Sequence, residues 1–446
     1  MIVRLLRGFE QYQVVLTNAS SLVATYGMTS AVGFVYWWIA ARKFSPEAVG
    51  FASAAISSMQ LAGTIGVMGL GTLLIGELPR QPGKEKSLIS TALLLVSVAG
   101  FMVGLLFAKA AASVSVEFVA LAKSLPNIVL FSLGASLTAV TIVFDQAVIG
   151  LLRGGLQLKR NAVFSVIKLI GLFIVGVFLQ HQHGSVILFT WVLGNLMSLL
   201  AFTRTTSIDR DSISEYLPQW SWVGKLGKSA LEHHLLNIML QTPGLVLPLL
   251  VASILSAKIN AYFYTSWMIA NFAYVWSAAF STVLYAVGSA EPGALARKLR
   301  LTLGFSLFTG LVVCLFLFLY GGAVLSIFGE EYAEQASWSL KVFGIGVFPV
   351  LVKNHYVAIC RIHKKTPSAV KLVSINSILE IILAGIGANF FGLLGLSIGW
   401  LFAISLEAML MLGTVRQVLK RMNLDTSAEV NRLALERSDA GTVQAT

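Results

Sequence analysis

Long apolar segments, each close to twenty residues, follow one another along this 446-residue chain with short connections between them. A bilayer core is about 30 Å thick, so an α-helix needs roughly twenty apolar residues to cross it. Hydrophobic residues make up 57% of the chain and charged residues 12%, which is more apolar surface than a water-soluble fold can bury. We count twelve such segments and predict an all-α polytopic membrane protein with twelve transmembrane helices.

The positive residues are unevenly distributed over the connections. The net charge is +12, and most of the 32 Lys and Arg residues fall in alternate loops and at both termini. The other set of connections holds only five, namely Arg42, Lys43, Lys109, Lys123 and Lys258. Because cytoplasmic loops carry the positive excess, both termini are predicted to be cytoplasmic. The basic balance therefore reflects topology, and no nucleic-acid partner is expected.

The two halves of the chain resemble each other. FSPEAVGFASAA at Phe44 matches LSAKINAYFYTS at Leu255, and DQAVIGLLR at Asp145 matches KNHYVAICR at Lys353. These similarities predict two parallel six-helix repeats around a central cavity, with a site near mid-membrane. The predicted parts are a cytoplasmic N-terminal segment (1–16), a first lobe with spans 1–6 (17–203), a cytoplasmic linker (204–225), a second lobe with spans 7–12 (226–419) and a cytoplasmic polar tail (420–446).

Three stretches carry a more specific resemblance. They are ARKFSPEAVGFASAAISSMQLAGTIGVMGLGTLLIGELPR, LPLLVASILSAKINAYFYTSWMIANFAYVWSAAFSTVLYAVG and FGEEYAEQASWSLKVFGIGVF. Together the chain resembles, from about Thr17 to Lys420, the polysaccharide-export branch of the multidrug/oligosaccharidyl-lipid/polysaccharide (MOP) flippase superfamily. The resemblance implies a flippase of the bacterial inner membrane that moves an undecaprenyl-pyrophosphate-linked oligosaccharide for O-antigen, capsule or exopolysaccharide biosynthesis. It also implies contact with membrane lipids, and with a glycan polymerase and glycosyltransferases of the same pathway.

The seventh span has an unusual polar stripe. His233, Asn237 and Gln241 are spaced four apart, so they lie on one helix face that should avoid lipid. We interpret this face as lining the substrate cavity, although His233 at the membrane interface could simply end the span. The stripe continues into three helix-breaking residues, Pro243, Gly244 and Pro248, which we predict to interrupt the helix and to act as a hinge.

Charged residues within spans each need a partner or a function, because a charge at the bilayer centre costs about 3 kcal/mol on insertion scales. Asp145 and Lys168 lie at about equal distances before and after the middle of the predicted turn at Leu156 and Gln157, so they should lie at one depth and form an ion pair, with independent functional roles as the alternative. Lys353 is interpreted as a partly free cation that binds pyrophosphate, with Arg153 and Arg361 nearer the cavity mouth. The alternatives for Lys353 are a snorkelling side chain and a pair with Glu380.

Coupling to an ion gradient is another expected property. Four acidic residues are candidates for binding the coupling ion, Asp145, Glu232, Glu380 and Glu407. Their pattern does not distinguish a proton from sodium. No catalytic residue, cofactor or metal site is predicted, and Cys314 and Cys360 are too far apart in apolar spans to indicate one.

Two other functions compete with lipid-linked glycan transport. An ion-coupled multidrug exporter of the same superfamily would need a cavity dominated by acidic and aromatic residues, whereas this chain places lysine and arginine beside its acids. A membrane glycosyltransferase or polymerase is less favoured. The D-x-D at Asp209–Asp211 lies in the linker without a nucleotide-binding domain, and no extracytoplasmic connection is long enough for a polymerase domain. The sequence therefore favours a transporter over an enzyme.

Overall fold

The computed structural model describes residues 24–25, 27–78, 81–114, 118–122, 124–151, 153–178, 183–203, 217–218, 220, 228–290 and 295–443. Within these ranges the regular structure is helical. The first half comprises α1 (residues 27–43), α2 (Pro46–Gly66), α3 (Leu70–Glu77), α4 (Glu85–Val114), α5 (Val119–Ala122), α6 (Leu125–Gly150), α7 (Gly154–Phe178) and α8 (Gly184–Thr203). The second half comprises α9 (Lys228–Ile254), α10 (Ala257–Ala290), α11 (Leu295–Ser326), α12 (Glu330–Ile345), α13 (Val347–Ile362) and α14 (Thr366–Val443).

Most of the described helices are long and apolar enough to cross a membrane. Ten helices in the described part of the chain are long and apolar enough to span a bilayer, counting α12 with α13 as one and α14 as one. Helix α14 contains two arms, because its backbone leaves the helical conformation at Phe391 and Gly392. Counting the second arm of α14 and helix α1 as further spans gives the predicted number of twelve. This confirms the predicted all-α polytopic fold with two six-helix halves.

Two predicted spans contain internal breaks. The second span is divided into α2 and α3 at Met68 and Gly69, both of which have positive φ. The tenth span is divided into α12 and α13 at Gly346, where an added Cβ would lie 2.6 Å from the ring of Trp400.

Helix starts preserve the internal repeat. Ser45 caps α2 by accepting a hydrogen bond from the backbone N–H of Ala48 at 3.3 Å. Ser256 does the same for α10, accepting from the N–H of Ile259 at 3.1 Å. Ser45 and Ser256 are 211 residues apart, the separation at which the sequence halves match. The N-cap satisfies an otherwise unpaired amide, so the repeated serine begins the equivalent helix in each half.

Packing is densest within each half, and α2 provides much of the contact between them. In the first half α2 packs on α4, α6 and α8, and it also contacts α9 and α10 of the second half. The second half has an aromatic core in which the ring of Trp400 lies 5.0 Å from Trp267 and 5.5 Å from Phe343. Helix α11 instead exposes large apolar side chains such as Phe308 and Leu319, as expected of a lipid-facing helix.

Candidate functional site

A cavity of about 320 Å³ lies between the two halves. Its walls come from α1, α7 and α8 of the first half and α10 of the second. Its side chains include aromatic rings, hydroxyl groups, two amides and one lysine: Thr29, Ser30, Trp37, Asn161, Phe164, Lys168, Trp191, Tyr264, Asn271 and Phe272. None of the described residues that line it is acidic. The cavity therefore combines surfaces for stacking and hydrogen bonding with a positive group.

Lys168 is the charged residue of this cavity. It is 3% exposed and lies near the middle of α7, about 21 Å along the axis from the helix start at 1.5 Å per residue. Its Nζ is 3.9 Å from the ring centre of Trp191, 4.5 Å from that of Phe164 and 5.2 Å from that of Tyr36. Such contacts stabilise an ammonium ion through the negative face of each ring.

The predicted ion pair between Asp145 and Lys168 is wrong. Asp145 pairs with Arg160, whose Nε and Nη2 each donate to a carboxylate oxygen at 2.7 Å. Asn161 Nδ2 also donates to Asp145, at 3.0 Å. The prediction failed because α7 begins at Gly154 rather than Asn161, which moves the centre of the turn and places Arg160 at the depth of Asp145.

Lys353 is not the partly free cation that we predicted. Its Nζ lies 2.8 Å from Glu380 Oε1 and 3.0 Å from Glu407 Oε2. All three side chains are buried, and they come from α13 and from the two arms of α14. The alternative of a pair with Glu380 is therefore the correct one, with Glu407 as a second partner. We call these three residues the charged triad.

The charged triad has more negative than positive groups. Glu380 is further fixed by Trp400, whose Nε1 donates to Glu380 Oε2 at 2.8 Å. Oε1 of Glu407 is buried and has no hydrogen-bond partner among the described residues. With both carboxylates ionised the triad carries one net negative charge in an apolar surrounding, which is unfavourable unless a cation is bound.

Part of the predicted polar stripe of the seventh span meets an arginine from the tenth. Arg361 Nη2 donates to Asn237 Oδ1 at 2.8 Å, and His233 lies one helical turn before Asn237 on the same face of α9. Gln241 is exposed and its Nε2 donates to the backbone oxygen of Asn237 at 3.2 Å. The predicted residues Arg361, Asn237 and His233 are thus brought together, on α9 and α13, but they do not line the 320 Å³ cavity.

The predicted interruption of the seventh span is absent. Helix α9 runs unbroken from Lys228 to Ile254 with Pro243 and Pro248 inside it. Gly244 faces Trp267 of α10, since a Cβ at that position would lie 3.7 Å from its indole nitrogen. The hinge role of Pro243, Gly244 and Pro248 stays a prediction.

The other predicted residues lie apart from the cavity. Arg153 is exposed in the short turn between α6 and α7, and Glu232 is half-buried in the first turns of α9. Neither lines the cavity between the halves.

A seam joins the halves at the end of the molecule where α1 connects to α2. Asn260 Nδ2 of α10 donates to the Gly50 carbonyl at 2.7 Å and to Ser53 Oγ at 3.0 Å. Nearby, Arg42 Nε donates to the Ile327 carbonyl just beyond α11 at 2.7 Å, and Trp38 Nε1 donates to the same oxygen at 3.1 Å. An arginine at a helix C-terminus satisfies carbonyls that lack helical partners.

Sequence reasoning missed Arg160, Trp191 and Asn260. Arg160 precedes the predicted span, and its only signal was the separation of fifteen residues from Asp145 across a short turn. Trp191 and Asn260 carry no local signal, because their contacts with Lys168 and Gly50 join helices distant in sequence.

The fold is that of MOP-superfamily transporters. A MATE-family multidrug resistance transporter in its inward-facing conformation is 15% identical, with a TM-score of 0.68 over 89% of this chain and 95% of that chain. The lipid II flippase MurJ in an inward closed conformation is also 15% identical, with a TM-score of 0.72 over 93% and 92%.

A MOP-superfamily transporter from Pyrococcus furiosus Vc1 is likewise similar. It is 14% identical, with a TM-score of 0.63 over 91% of this chain and 97% of that chain, and its binding pocket is described as having reverse polarity. No family model and no curated protein sequence matches the chain. These likenesses establish a shared fold and leave the substrate to the chemistry of the cavity.

Proposed function

We propose that this protein is a transporter of the bacterial inner membrane that flips an undecaprenyl-pyrophosphate-linked oligosaccharide by alternating access, for polysaccharide biosynthesis. The observation that carries the proposal is the cavity between the halves, whose described lining offers aromatic rings, amides, hydroxyls and one ammonium, and no acid. A substrate that suits these groups is a saccharide bearing a negative group.

The saccharide part of the substrate matches the neutral residues of the cavity. The rings of Trp37 and Tyr264 line the cavity and can contact the apolar faces of sugar rings, as aromatic side chains do in ligand sites, while Trp191 lies against Lys168. The amides of Asn161 and Asn271 come from opposite halves and can hydrogen-bond sugar hydroxyl groups. Sugar recognition would therefore use both halves at once.

The same cavity argues against an organic cation as substrate. A buried cationic ligand needs a carboxylate or an uncharged aromatic cage to offset its desolvation. Here the described lining has no carboxylate, and the cage formed by Trp191, Phe164 and Tyr36 is occupied by Lys168 itself. Drug exporters and a lipid flippase share this fold. The choice between these two functions therefore rests on the lining of the cavity, which has a lysine and no carboxylate among its described residues.

Alternating access requires the seam near the α1–α2 connection to open. Its hydrogen bonds join Asn260 to Gly50, and Arg42 and Trp38 to Ile327. With both termini in the cytoplasm, as we propose, this end faces the periplasm and the structure is closed on that side. Breaking the seam would release the substrate into the outer leaflet.

A second cationic group in the other half suits the entry of the pyrophosphate. Arg361 makes one hydrogen bond to Asn237, while its buried Nε has no partner among the described residues. A guanidinium can donate to two phosphate oxygens at once. We place the first contact of the pyrophosphate at Arg361, Asn237 and His233, with Gln241 beside them and Arg153 at the mouth.

The charged triad is the best candidate for coupling transport to an ion gradient. It has one positive and two negative groups, so binding one proton or one sodium ion would neutralise it. Asp145 is already neutralised by Arg160, which makes it a weaker candidate than Glu380 and Glu407. The expected partners are the lipid-linked oligosaccharide, membrane lipids, and the polymerase and glycosyltransferases of its pathway.

Ligand binding measured through tryptophan fluorescence tests the proposal, because Trp37 and Trp191 both line the cavity. The purified protein in nanodiscs would be titrated with an undecaprenyl-pyrophosphate-linked saccharide and with tetraphenylphosphonium, using Trp37→Phe and Trp191→Phe to assign the signal. Saturable quenching by the saccharide lipid alone is expected. Saturable quenching by the organic cation alone would contradict the proposal and indicate a drug exporter.

A further inference from the structure

Three cations in the described helices are more than nine-tenths buried, and they differ in how their charge is balanced. Arg160 faces Asp145, and Lys353 faces Glu380 and Glu407. Lys168, which is 3% exposed, makes no ion pair and no hydrogen bond within the described part of the chain. A buried charge without a counter-ion is costly, so this exception needs a physical explanation.

The aromatic cage explains how Lys168 is tolerated. Three rings lie within 5.2 Å of its Nζ, with Trp191 nearest at 3.9 Å. Cation–π contacts stabilise the ammonium but use none of its three N–H groups as hydrogen-bond donors. The cage therefore keeps the charge in place and leaves its donors available.

Lys168 lies in the wall of the cavity between the halves. The stem of Lys168 is held by Gly194 of α8, where an added Cβ would lie 3.0 Å from Cβ of Lys168. The residue lines the cavity together with Asn161, two helical turns earlier on the same face of α7. The opposite wall is formed by Tyr264 and Asn271 of the second half.

From these observations we infer that Lys168 is the anion-binding residue of the cavity, and that it binds a phosphate or carboxylate group of the transported molecule between the two halves. This inference rests on the proposed function and adds to it the residue that recognises the charge. The anionic oxygens could belong to the pyrophosphate linkage or to an acidic sugar. In either case they supply the counter-ion that Lys168 lacks.

The test compares ligand binding by Lys168→Met and Lys168→Arg with the wild-type protein in nanodiscs. Methionine keeps the length and packing of the side chain inside the cage without its charge. The matched control is Lys341→Met, since Lys341 also lies over aromatic rings, 4.5 Å from the centre of Trp338 and 4.9 Å from that of Phe318, but does not line the cavity. Thermal unfolding without ligand checks that each variant is folded.

Four probes separate the possible sources of the anion: undecaprenyl pyrophosphate, undecaprenol, inorganic pyrophosphate and glucuronate. We expect Lys168→Met to weaken the binding of at least one anionic probe by roughly tenfold to a hundredfold, the range for losing hydrogen bonds to a charged group. Undecaprenol binding should not change, Lys168→Arg should recover most of the affinity, and Lys341→Met should behave as wild type. The anionic probe that is affected most identifies the group that Lys168 binds.

The outcomes keep the inference separate from the proposed function. If Lys168→Met binds every anionic probe as well as the wild-type protein does, or loses undecaprenol equally, Lys168 is a structural residue and the inference is wrong. If the wild-type protein binds soluble anions through Lys168 but no undecaprenyl lipid, the anion site stands and the proposed lipid-linked substrate is wrong.

Discussion

The side chain of Asn260 on α10 donates a 2.7 Å hydrogen bond to the backbone carbonyl of Gly50 on α2, and so joins the two halves of the protein. The helices approach closely at this point, because a Cβ added to Gly50 would lie 1.5 Å from the carbonyl oxygen of Ala257. Small residues permit such contact between membrane helices. This contact is central to the seam that, in the proposed transport cycle, opens for release.

Gly50→Ala is expected to force the seam open. Its methyl group cannot fit against Ala257, and relieving an overpacked contact is worth about 1–3 kcal/mol, enough to shift the conformational equilibrium roughly tenfold. Spin labels at Glu47 and Glu330, which are exposed on opposite halves near this seam, would report the change as a longer distance by electron paramagnetic resonance.

The matched control for the seam is Gly304→Ala, because a Cβ at Gly304 meets nothing within 4 Å. That variant should give the wild-type distance distribution. Both measurements use a background in which Cys314 and Cys360 are replaced by serine. An unchanged distribution in Gly50→Ala would show that this contact does not hold the halves together.

Double-mutant cycles test the pair formed by Asp145 and Arg160. Asp145→Ala is expected to lower the free energy of unfolding by about 3 kcal/mol, because it leaves the buried Arg160 unpaired, and Arg160→Ala is expected to lower it less, because Asp145 is partly exposed and keeps the hydrogen bond from Asn161. The loss of unfolding free energy in the double variant should be much smaller than the sum of the losses in the two single variants. The effects of Asp145→Ala and Lys168→Met on the free energy of unfolding should instead add to within about 0.5 kcal/mol. Strong coupling between Asp145 and Lys168 would contradict this arrangement and support the ion pair predicted from the sequence.

Glu407→Gln tests the charged triad as the coupling site. The substitution removes the surplus negative charge beside Lys353, so the triad is neutral without a bound ion. We expect flipping driven by a proton or sodium gradient to be lost while the affinity for substrate is retained. Glu331→Gln is the control, since Glu331 pairs with Lys258 at 2.6 Å in an exposed position. Gradient-driven flipping at the wild-type rate in Glu407→Gln would exclude the triad.

Arg361→Gln tests the contact proposed for the pyrophosphate in the second half. Losing a charged donor there should reduce the flipping rate roughly tenfold, and Asn237→Ala should reduce it less, because Asn237 orients Arg361 through one hydrogen bond. Arg300→Gln removes an exposed arginine at the start of α11 and serves as the control. Equal rates in Arg361→Gln and Arg300→Gln would mean that the guanidinium of Arg361 has no part in transport.

The helical fold could be predicted from the sequence because the requirement for apolar spans dominates every other signal. The beginning of α7 is the instructive error. The sequence indicates a loop up to Arg160 and a span that starts at Asn161, but α7 already begins at Gly154, and both side chains donate hydrogen bonds to Asp145. A polar residue in a membrane helix is tolerated when a neighbouring helix supplies its partner, and hydropathy cannot show that partner.

The site could be predicted only where partners are close in sequence. Glu380 was weighed as a partner of Lys353 because both flank one short turn, whereas Glu407 comes from the second arm of α14 after the backbone reverses at Gly392. The cage around Lys168 combines α1, α7 and α8, and no spacing within one helix indicates such a meeting.

Flipping in proteoliposomes tests the central claim most directly. The wild-type protein would be reconstituted with an undecaprenyl-pyrophosphate-linked saccharide in the inner leaflet, and exposure of the saccharide on the outer leaflet would be measured with an imposed pH or sodium gradient. Our account predicts protein-dependent flipping that is accelerated by one of the two gradients. Absence of flipping, together with gradient-driven export of an organic cation by the same vesicles, would contradict it.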